Sequence, residues 1–195
     1  VLQGFSEFLM NKEGVDEASK KQLERIHKES VRLASLINDM LMLSKIENGE
    51  QPEKAYAEIS LKDLACEVLN EFADEIKKRN LTATINGDGK VLGDQNMIFE
   101  LIENLVSNAI KYNKEGGSIT VSIFETDQGV CLQVKDTGIG IEKEHLPRLC
   151  ERFYRVDKSH SKRIGGTGLG LAIVKHICAI YGADLSIDST FGEGT

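Results

Sequence analysis

The sequence contains few of the residues that build special scaffolds. Tryptophan is absent from the 195 residues, proline occurs twice, and four scattered cysteines form no C-x-x-C pair. With no histidine at metal-ligand spacing, this pattern argues against structural zinc. A chain with 41% hydrophobic residues also has enough core material to fold without a disulfide framework. We therefore expect free thiols in a reducing, intracellular compartment.

Long apolar runs and an excess of basic charge are missing as well. No run approaches the ~20 residues that cross a bilayer, and no signal peptide is visible, so we expect no direct membrane contact from this segment. Lys and Arg total 24 against 31 Asp and Glu, a net charge of −7. Because phosphate contacts need clustered cations, no nucleic-acid partner is expected. The length predicts one ordinary domain plus a smaller element.

Residues 1–48 predict a helix–turn–helix hairpin whose second helix is capped by Asp16. Along that helix, apolar and small residues recur in steps of three and four and form a heptad seam. The seam residues are Leu23, Ile26, Ser30, Leu33, Ile37, Met40, Ser44 and Glu47, and the residues that widen the apolar face are Leu36, Leu41 and Leu43. A helix with this many apolar residues needs partner helices to bury them. We predict a homodimer in which two hairpins form a four-helix bundle.

A linker over 49–60 is expected to separate the hairpin from an α+β domain over 61–195. Ser60 followed by Asp63 predicts a capped third helix over 61–79. The remaining predicted elements are strands 81–86 and 90–93, a helix from Asp94 to Tyr112, strands 119–123 and 130–134, a helix over 168–181, and a strand over 185–188. We expect one sheet of antiparallel neighbours beneath helices. The sequence at each end predicts that the hairpin is truncated at its N-terminus and the domain at its C-terminus.

Polar residues line one face of the predicted helix 94–112. Asn104, Asn108 and Lys111 recur at intervals of four and three. Amide oxygens beside a lysine suit a hydrated magnesium ion that bridges phosphates, since magnesium prefers hard oxygen ligands. A plain solvent-facing polar surface is the alternative.

Two glycine-rich segments suggest a nucleotide. Asp136 ends a predicted strand beside Gly138 and Gly140, where a carboxylate can accept a hydrogen bond from an exocyclic amine such as that of adenine. An ordinary Asp-Gly turn is the alternative. The run 165–170 opens a helix, and its backbone N–H groups and dipole suit phosphate. It is neither a P-loop nor a dinucleotide fingerprint, because no Gly-Lys-Ser/Thr follows and no strand precedes it.

A cation-rich segment over 151–163 lies between the glycine clusters and is long enough to act as a lid. Its positive charge suits a polyphosphate, although such a run can also be a solvated surface. Together and in order, the four clusters resemble the N, first G, F and second G boxes of the sensor histidine kinases of two-component systems. The matching motifs are Asn-Leu-Val-Ser-Asn-Ala-Ile-Lys-Tyr, Asp-Thr-Gly-Ile-Gly-Ile, Glu-Arg-Phe-Tyr-Arg-Val-Asp and Gly-Gly-Thr-Gly-Leu-Gly-Leu.

The resemblance covers the whole chain, because residues 1–48 are similar to most of the dimerisation and histidine-phosphotransfer hairpin of that family. The lid and the helix after it look most like the phosphate-responsive, PhoR-type kinases. The family implies a Bergerat-type (GHKL) α/β sandwich that binds ATP and Mg. It also implies a protein-histidine kinase that phosphorylates a histidine and passes the phosphoryl group to an aspartate of a response regulator.

The site residues are implied by the resemblance, position by position. Asn108 would bind magnesium with Asn104 beside it, Lys111 and Arg155 would reach phosphate, and Asp136 would take the adenine amine. The catalytic residues implied are Asn104, Asn108, Lys111 and Arg155. The cofactor-binding residues implied are Asn108, Lys111, Tyr112, Asp136, Gly138, Gly140, Arg155, Gly166, Thr167, Gly168, Leu169, Gly170 and Thr195. The family also implies that this chain is the cytoplasmic part of a membrane-anchored bacterial sensor.

The sequence departs from the family at the phospho-acceptor. Leu2 to Phe5 resembles the segment just downstream of the acceptor motif, which we expect within about three helical turns before Val1. No histidine of this sequence has that context, and we interpret His27 as structural. Two alternatives stay open. One is a gyrase-, mismatch-repair- or chaperone-type ATPase, which would need a glutamate where Asn104 stands. The other is an ATP-binding dimeric scaffold without transfer activity.

Overall fold

The N-terminal part of the computed structural model is the predicted helical hairpin. The structure describes residues 2–10, 12, 15–47, 56–156 and 167–195. Helices α1 (Leu2–Met10) and α2 (Glu17–Glu47) pair, and the Asp16 carboxylate caps α2 by accepting the Ser19 N–H at 2.9 Å. The buried Ser6 hydroxyl lies 3.1 Å from Nδ1 of His27, which ties the two helices together. This contact supports the structural interpretation of His27.

The predicted third helix is divided, and the predicted linker contains a strand. Helices α3 (Leu61–Glu71) and α4 (Ala73–Lys78) meet at Phe72, whose ψ of 10° leaves the helical range. Ser60 caps α3, as expected, by accepting the Asp63 N–H at 3.2 Å. The strand β1 (Ala57–Ser60) falls within the stretch predicted as linker, because four residues with one buried side chain show no detectable alternation.

The strands form two sheets, so the expectation of a single antiparallel sheet is wrong. β1 pairs antiparallel with β3 (Lys90–Gly93), whereas β2 (Thr82–Gly87), β4 (Ser118–Thr126) and β5 (Gly129–Asp136) form a second sheet in the order β2-β4-β5. β2 runs parallel to β4, and β5 antiparallel to it. The parallel pair is possible because α5 (Gln95–Lys111) lies between these strands in sequence and returns the chain to the same end of the sheet.

The main core lies between this sheet and the helices α3 and α5. Its fully buried side chains include Val68, Ile102, Val106, Ile119 and Val121. A second cluster surrounds α6 (Gly170–Ile180) and combines Leu169, Ile173 and Ile177 with Leu43 of α2. The four cysteines are free thiols. Among the described helices, none has the length and apolar character that a bilayer crossing requires.

The predicted strand over 185–188 is wrong. Its side chains alternate between half-buried and exposed, but the segment joins neither sheet, and the chain end carries only an isolated bridge between Thr190 and Gly194. Alternation reports that one face is covered and does not report whether a hydrogen-bonding partner is present.

The cap of α5 provides a test of this fold. The Asp94 side chain, 8% exposed, accepts the N–H groups of Asn96 and Met97. We expect Asp94→Ala to lower the free energy of unfolding by about 1–2 kcal/mol, measured by urea denaturation. Asp127→Ala, in the exposed β4–β5 turn, is the control and should change it by less than about 0.5 kcal/mol. Equal effects of the two substitutions would contradict the capping role.

Candidate functional site

The polar face of α5 lies against the first turn of α6. Asn104, Asn108 and Lys111 are all half-buried, and Asn104 contacts the start of α6. The Asn104 amide donates to the Glu100 carbonyl at 2.9 Å and to its carboxylate at 3.3 Å. Its Oδ1 lies so close to Gly170 that a Cβ at that position would overlap it. The glycine at the start of α6 therefore allows the amide of Asn104 to approach that helix end.

The carboxylate of Asp136 lies beside the C-terminal end of α5. Its Oδ1 accepts the Gly138 N–H at 2.7 Å. The Ile139 N–H donates to the Tyr112 carbonyl at 3.0 Å, and the Tyr112 N–H donates to the Asn108 carbonyl at 3.0 Å. Three hydrogen bonds therefore connect Asp136 with Asn108, and the two predicted site residues lie on the same side of the domain.

The Asp136 carboxyl is partly removed from solvent. Burial raises its pKa, while the hydrogen bond from the Gly138 N–H and an interaction with the Thr195 backbone lower it. A desolvated carboxylate is suited to an uncharged N–H donor, because such a bond replaces the lost hydration. Gly138 must be glycine here, since a Cβ would overlap both the Tyr112 carbonyl oxygen and this carboxylate.

The chain end completes the surroundings of Asp136. The Asp136 N–H donates to the Thr195 carbonyl at 2.9 Å, and the Thr195 hydroxyl lies 2.9 Å from that of Ser189. Ser189 also accepts the Ile141 N–H at 2.8 Å, so this one hydroxyl links two loops. Gly140 has a φ of +64° and approaches the Thr190 carbonyl so closely that a Cβ would overlap it. Sequence reasoning missed Ser189, because a lone serine carries no spacing signal.

Two further residues that hold the site were missed. Arg79 donates to the carbonyl of Ile110 and, at 2.7 Å, to that of Asn113, so its charge lies at the C-terminal end of α5. Asn113, 5% exposed, donates to the Ser118 carbonyl at 3.0 Å and joins the helix end to β4. No local pattern marks either residue, because their partners are 34 and 5 residues away in sequence.

The basic segment and the glycine-rich loop meet at Phe153 and Gly168. The Phe153 N–H donates to the Gly168 carbonyl at 2.8 Å, and both residues have positive φ, at 62° and 76°. A Cβ at Gly168 would lie 2.9 Å from the Phe153 Cα, so glycine serves both the conformation and the contact. Arg155 is half-buried two residues beyond Phe153.

The described part of the glycine-rich loop leads directly into α6. The Thr167 hydroxyl accepts the Leu169 N–H at 3.2 Å, and Leu169 is fully buried. The structure therefore brings Thr167, Gly168, Leu169 and Gly170 together at the start of α6. Gly166, predicted as part of this loop, lies outside the described residues.

The arrangement combines two chemically different ends along one helix. A carboxylate acceptor, close-approach glycines and Tyr112 lie at the C-terminal end of α5. Amide groups, Lys111 and the start of α6 lie along its polar face. The first end suits a base with an exocyclic amine, and the second offers the hard oxygen ligands and cation that suit a phosphate-bound divalent ion.

Comparisons with known proteins agree with this geometry. Residues 93–195 match the family described as histidine kinase-, DNA gyrase B-, and HSP90-like ATPase, and residues 1–49 match the His Kinase A (phospho-acceptor) domain. The chain is 36% identical over 198 residues to the phosphate regulon sensor protein PhoR of Pseudomonas aeruginosa, which covers 100% of this chain and 44% of that protein.

Solved structures share this fold. Full-length ShkA in complex with AMPPNP matches with a TM-score of 0.77 and 23% identity, over 99% of this chain and 40% of that one. Histidine kinase ThkA in complex with response regulator protein TrrA matches with a TM-score of 0.59 and 26% identity, over 78% of this chain and 46% of that one. The chain thus spans under half the length of each of these proteins.

Both segments of the chain therefore match domains of one kind of signalling protein, in the order in which the sequence motifs predicted them. The chain belongs to the histidine kinase-, DNA gyrase B-, and HSP90-like ATPase family and, within it, to the sensor histidine kinases.

Proposed function

We propose that this chain is the ATP-dependent protein-histidine kinase module of a two-component sensor. Residues 1–48 are the dimerisation and phosphotransfer hairpin, 49–60 the connection, and 61–195 the catalytic ATP-binding domain. The observation that carries the proposal is the run of hydrogen bonds from Asp136 through Gly138, Ile139 and Tyr112 to Asn108. It holds a base-recognising carboxylate at a fixed distance from the polar face of α5.

The adenine end of the site is formed by Asp136 and the residues around it. Its carboxylate accepts the exocyclic amine, while Gly138 and Gly140 bring the backbone close to the base. Tyr112 lies against the nucleotide, and Thr195, positioned through Ser189, supports the base-binding side. Burial of the Asp136 carboxyl favours this contact, because a bound amine replaces hydration that the carboxylate has lost.

The phosphate end is formed by α5, α6 and the basic segment. Asn108 supplies an amide oxygen to Mg, with Asn104 beside it, and Lys111 and Arg155 contact phosphate. Thr167, Gly168, Leu169 and Gly170 form the described part of the loop that covers the phosphates, and Gly166 lies outside the described residues. When bound, Mg neutralises charge on the phosphates and fixes their orientation. The half-buried amides and the close Asn104–Gly170 contact fit such a group.

The reaction transfers the γ-phosphoryl group of ATP to the histidine of a phospho-acceptor domain, the kind of domain that residues 1–49 match. The bond from the γ-phosphorus to the bridging oxygen breaks, a phosphorus–nitrogen bond forms on the imidazole, and ADP leaves. The chain contributes positioning and electrostatic stabilisation more than covalent chemistry. The phosphoryl group then passes to an aspartate of a response regulator that docks on the hairpin, as the complex of ThkA with TrrA suggests.

The hairpin also supports a homodimer. Ile26, Leu33, Ile37 and Met40 of the predicted seam are 50–55% exposed in the single chain. A row of large apolar side chains along one long helix is costly in water, and a second hairpin would cover it. The seam therefore points away from the catalytic domain and is available to a second copy of the chain.

The kinase assignment predicts an acid-labile phosphohistidine. A chain extended upstream through the acceptor histidine should incorporate acid-labile label from γ-labelled ATP with magnesium. Asn108→Ala should reduce incorporation about 100-fold or more, because it removes a positioning contact made at the transferring group. Asn70→Ala, an exposed asparagine on α3, is the matched control and should react like the wild type. Unchanged labelling of Asn108→Ala would contradict the assignment.

The raised pKa of Asp136 predicts a pH-dependent nucleotide affinity. Because adenine recognition needs the carboxylate, affinity should fall as the pH drops through a pKa above the ordinary 3.8. Asp136→Asn should weaken ATP binding at least tenfold at pH 7 and remove this pH dependence. Its free energy of unfolding at pH 7 should not fall, since a desolvated charge is removed. Titration calorimetry at several pH values measures the ATP affinity, and urea denaturation measures the free energy of unfolding. Tight ATP binding by Asp136→Asn would refute the role of Asp136 in adenine recognition.

The dimer proposal predicts a monomer when the seam is charged. Ile37→Asp places a carboxylate in the centre of the covered row, so sedimentation should show a shift from dimer to monomer. Lys28→Asp, at an exposed polar position of the same helix, is the control and should leave the dimer intact. A dimeric Ile37→Asp variant would show that the seam is not the interface.

A further inference from the structure

Helix α2 contacts the catalytic domain through a face different from its seam. Leu36 and Leu43 pack with Leu169, Ile173 and Ile177 around α6, and Leu43 is only 3% exposed. Leu36, Asp39 and Leu43 are spaced by three and four residues, so they lie on one face of the helix. The docked face therefore carries a carboxylate between two leucines.

Asp39 lies at the phosphate end of the proposed site. The Thr167 hydroxyl and the charge of Lys111 both lower the pKa of the Asp39 carboxyl, so both groups lie within interaction range of it. The Thr167 oxygen in turn accepts the Leu169 N–H at the start of α6. The hairpin thus places an anion beside a lysine, a hydroxyl donor and a helix N-terminus, which are also the groups that bind phosphate oxygens.

The surroundings of Asp39 are unfavourable for additional negative charge. Burial raises the pKa of Asp39, and Thr167 and Lys111 only partly oppose that effect. The pKa values of Glu100 and Glu103 on α5 are also raised, chiefly by burial, with a contribution from the charge of Asp39. The charge of Asp39 thus acts on two carboxyl groups of α5, and an additional anion within range of the three would be repelled.

We infer that Asp39 is a positioning residue that takes the place of a phosphate oxygen, so that the docked hairpin and the triphosphate of ATP compete for Lys111 and Thr167. The inference rests on the proposed function. Without nucleotide, Asp39 and the Leu36–Leu43 face hold α2 against α6. A bound triphosphate satisfies Lys111 and Thr167 instead, repels Asp39, and releases the hairpin helix. Because the coupling is reciprocal, a docked hairpin weakens ATP binding as much as ATP weakens docking.

The test compares a charged with an uncharged ligand. Asp39→Asn should tighten MgATP binding about tenfold by titration calorimetry and leave adenosine binding unchanged, because adenosine carries no phosphate. Glu24→Gln, an exposed acidic position on the same helix, is the matched control and should bind both ligands like the wild type. Unchanged or weaker MgATP binding by Asp39→Asn would overturn the inference, and a weaker value would indicate that the carboxylate helps to bind the metal.

A second variant separates docking from a simple charge effect. Leu43→Ala loosens the packing on α6 without changing charge, and it should also tighten MgATP binding. In the Leu43→Ala background, Asp39→Asn should then have less effect than alone. Additive effects, or no effect of Leu43→Ala, would overturn competition by docking. Failure of the wild type to bind either MgATP or adenosine would instead refute the proposed function itself.

Discussion

The hydrogen bond from the Ile139 N–H to the Tyr112 carbonyl is the contact on which the site depends. It joins the C-terminal end of α5 to the loop that follows β5. These two elements can come so close because residue 138, which lies against Tyr112, is glycine. Any larger side chain would separate them, since a Cβ there overlaps the Tyr112 carbonyl oxygen. One close backbone approach thus determines the distance between the carboxylate and the polar face of α5.

Helix α5 meets two demands at once. Its apolar face, with Ile102 and Val106 fully buried, anchors the sheet, and its opposite face holds the half-buried amides. The C-terminal carbonyls of such a helix carry partial negative charge, and here Arg79 neutralises them. Since the same helix end contacts the loop after Asp136, its stability and the geometry of the adenine end are coupled.

Helix α2 also has two roles, because its apolar residues divide between two faces. The seam remains exposed in the single chain, and Leu43 is buried against α6. This helix packs on the catalytic domain through Leu43, and in the proposed dimer its seam would pack on a second hairpin. The carboxylate of Asp39 lies on the docked face between Leu36 and Leu43, where we propose that it responds to phosphate charge.

Local sequence determined the parts of this protein that depend on neighbouring residues. The caps at Ser60 and Asp94, the hairpin of β4 and β5 and the spacing of Asn104 and Asn108 were all predictable, because each involves residues within one turn or one strand pair. The order of the motifs likewise indicated the family. Capping, periodicity and turn preference are short-range effects, and they are written directly in the sequence.

Tertiary structure alone decided which elements meet. The 185–188 segment joins neither sheet, although its side chains alternate in burial. The parallel pairing of β2 with β4 and the pairing of β1 with β3 depend on partners distant in sequence. So do the supporting roles of Arg79, Asn113 and Ser189 and the docking of Leu43 on α6. Periodicity shows that a face will be buried, but the covering surface is selected by packing of the whole chain, which no local pattern encodes.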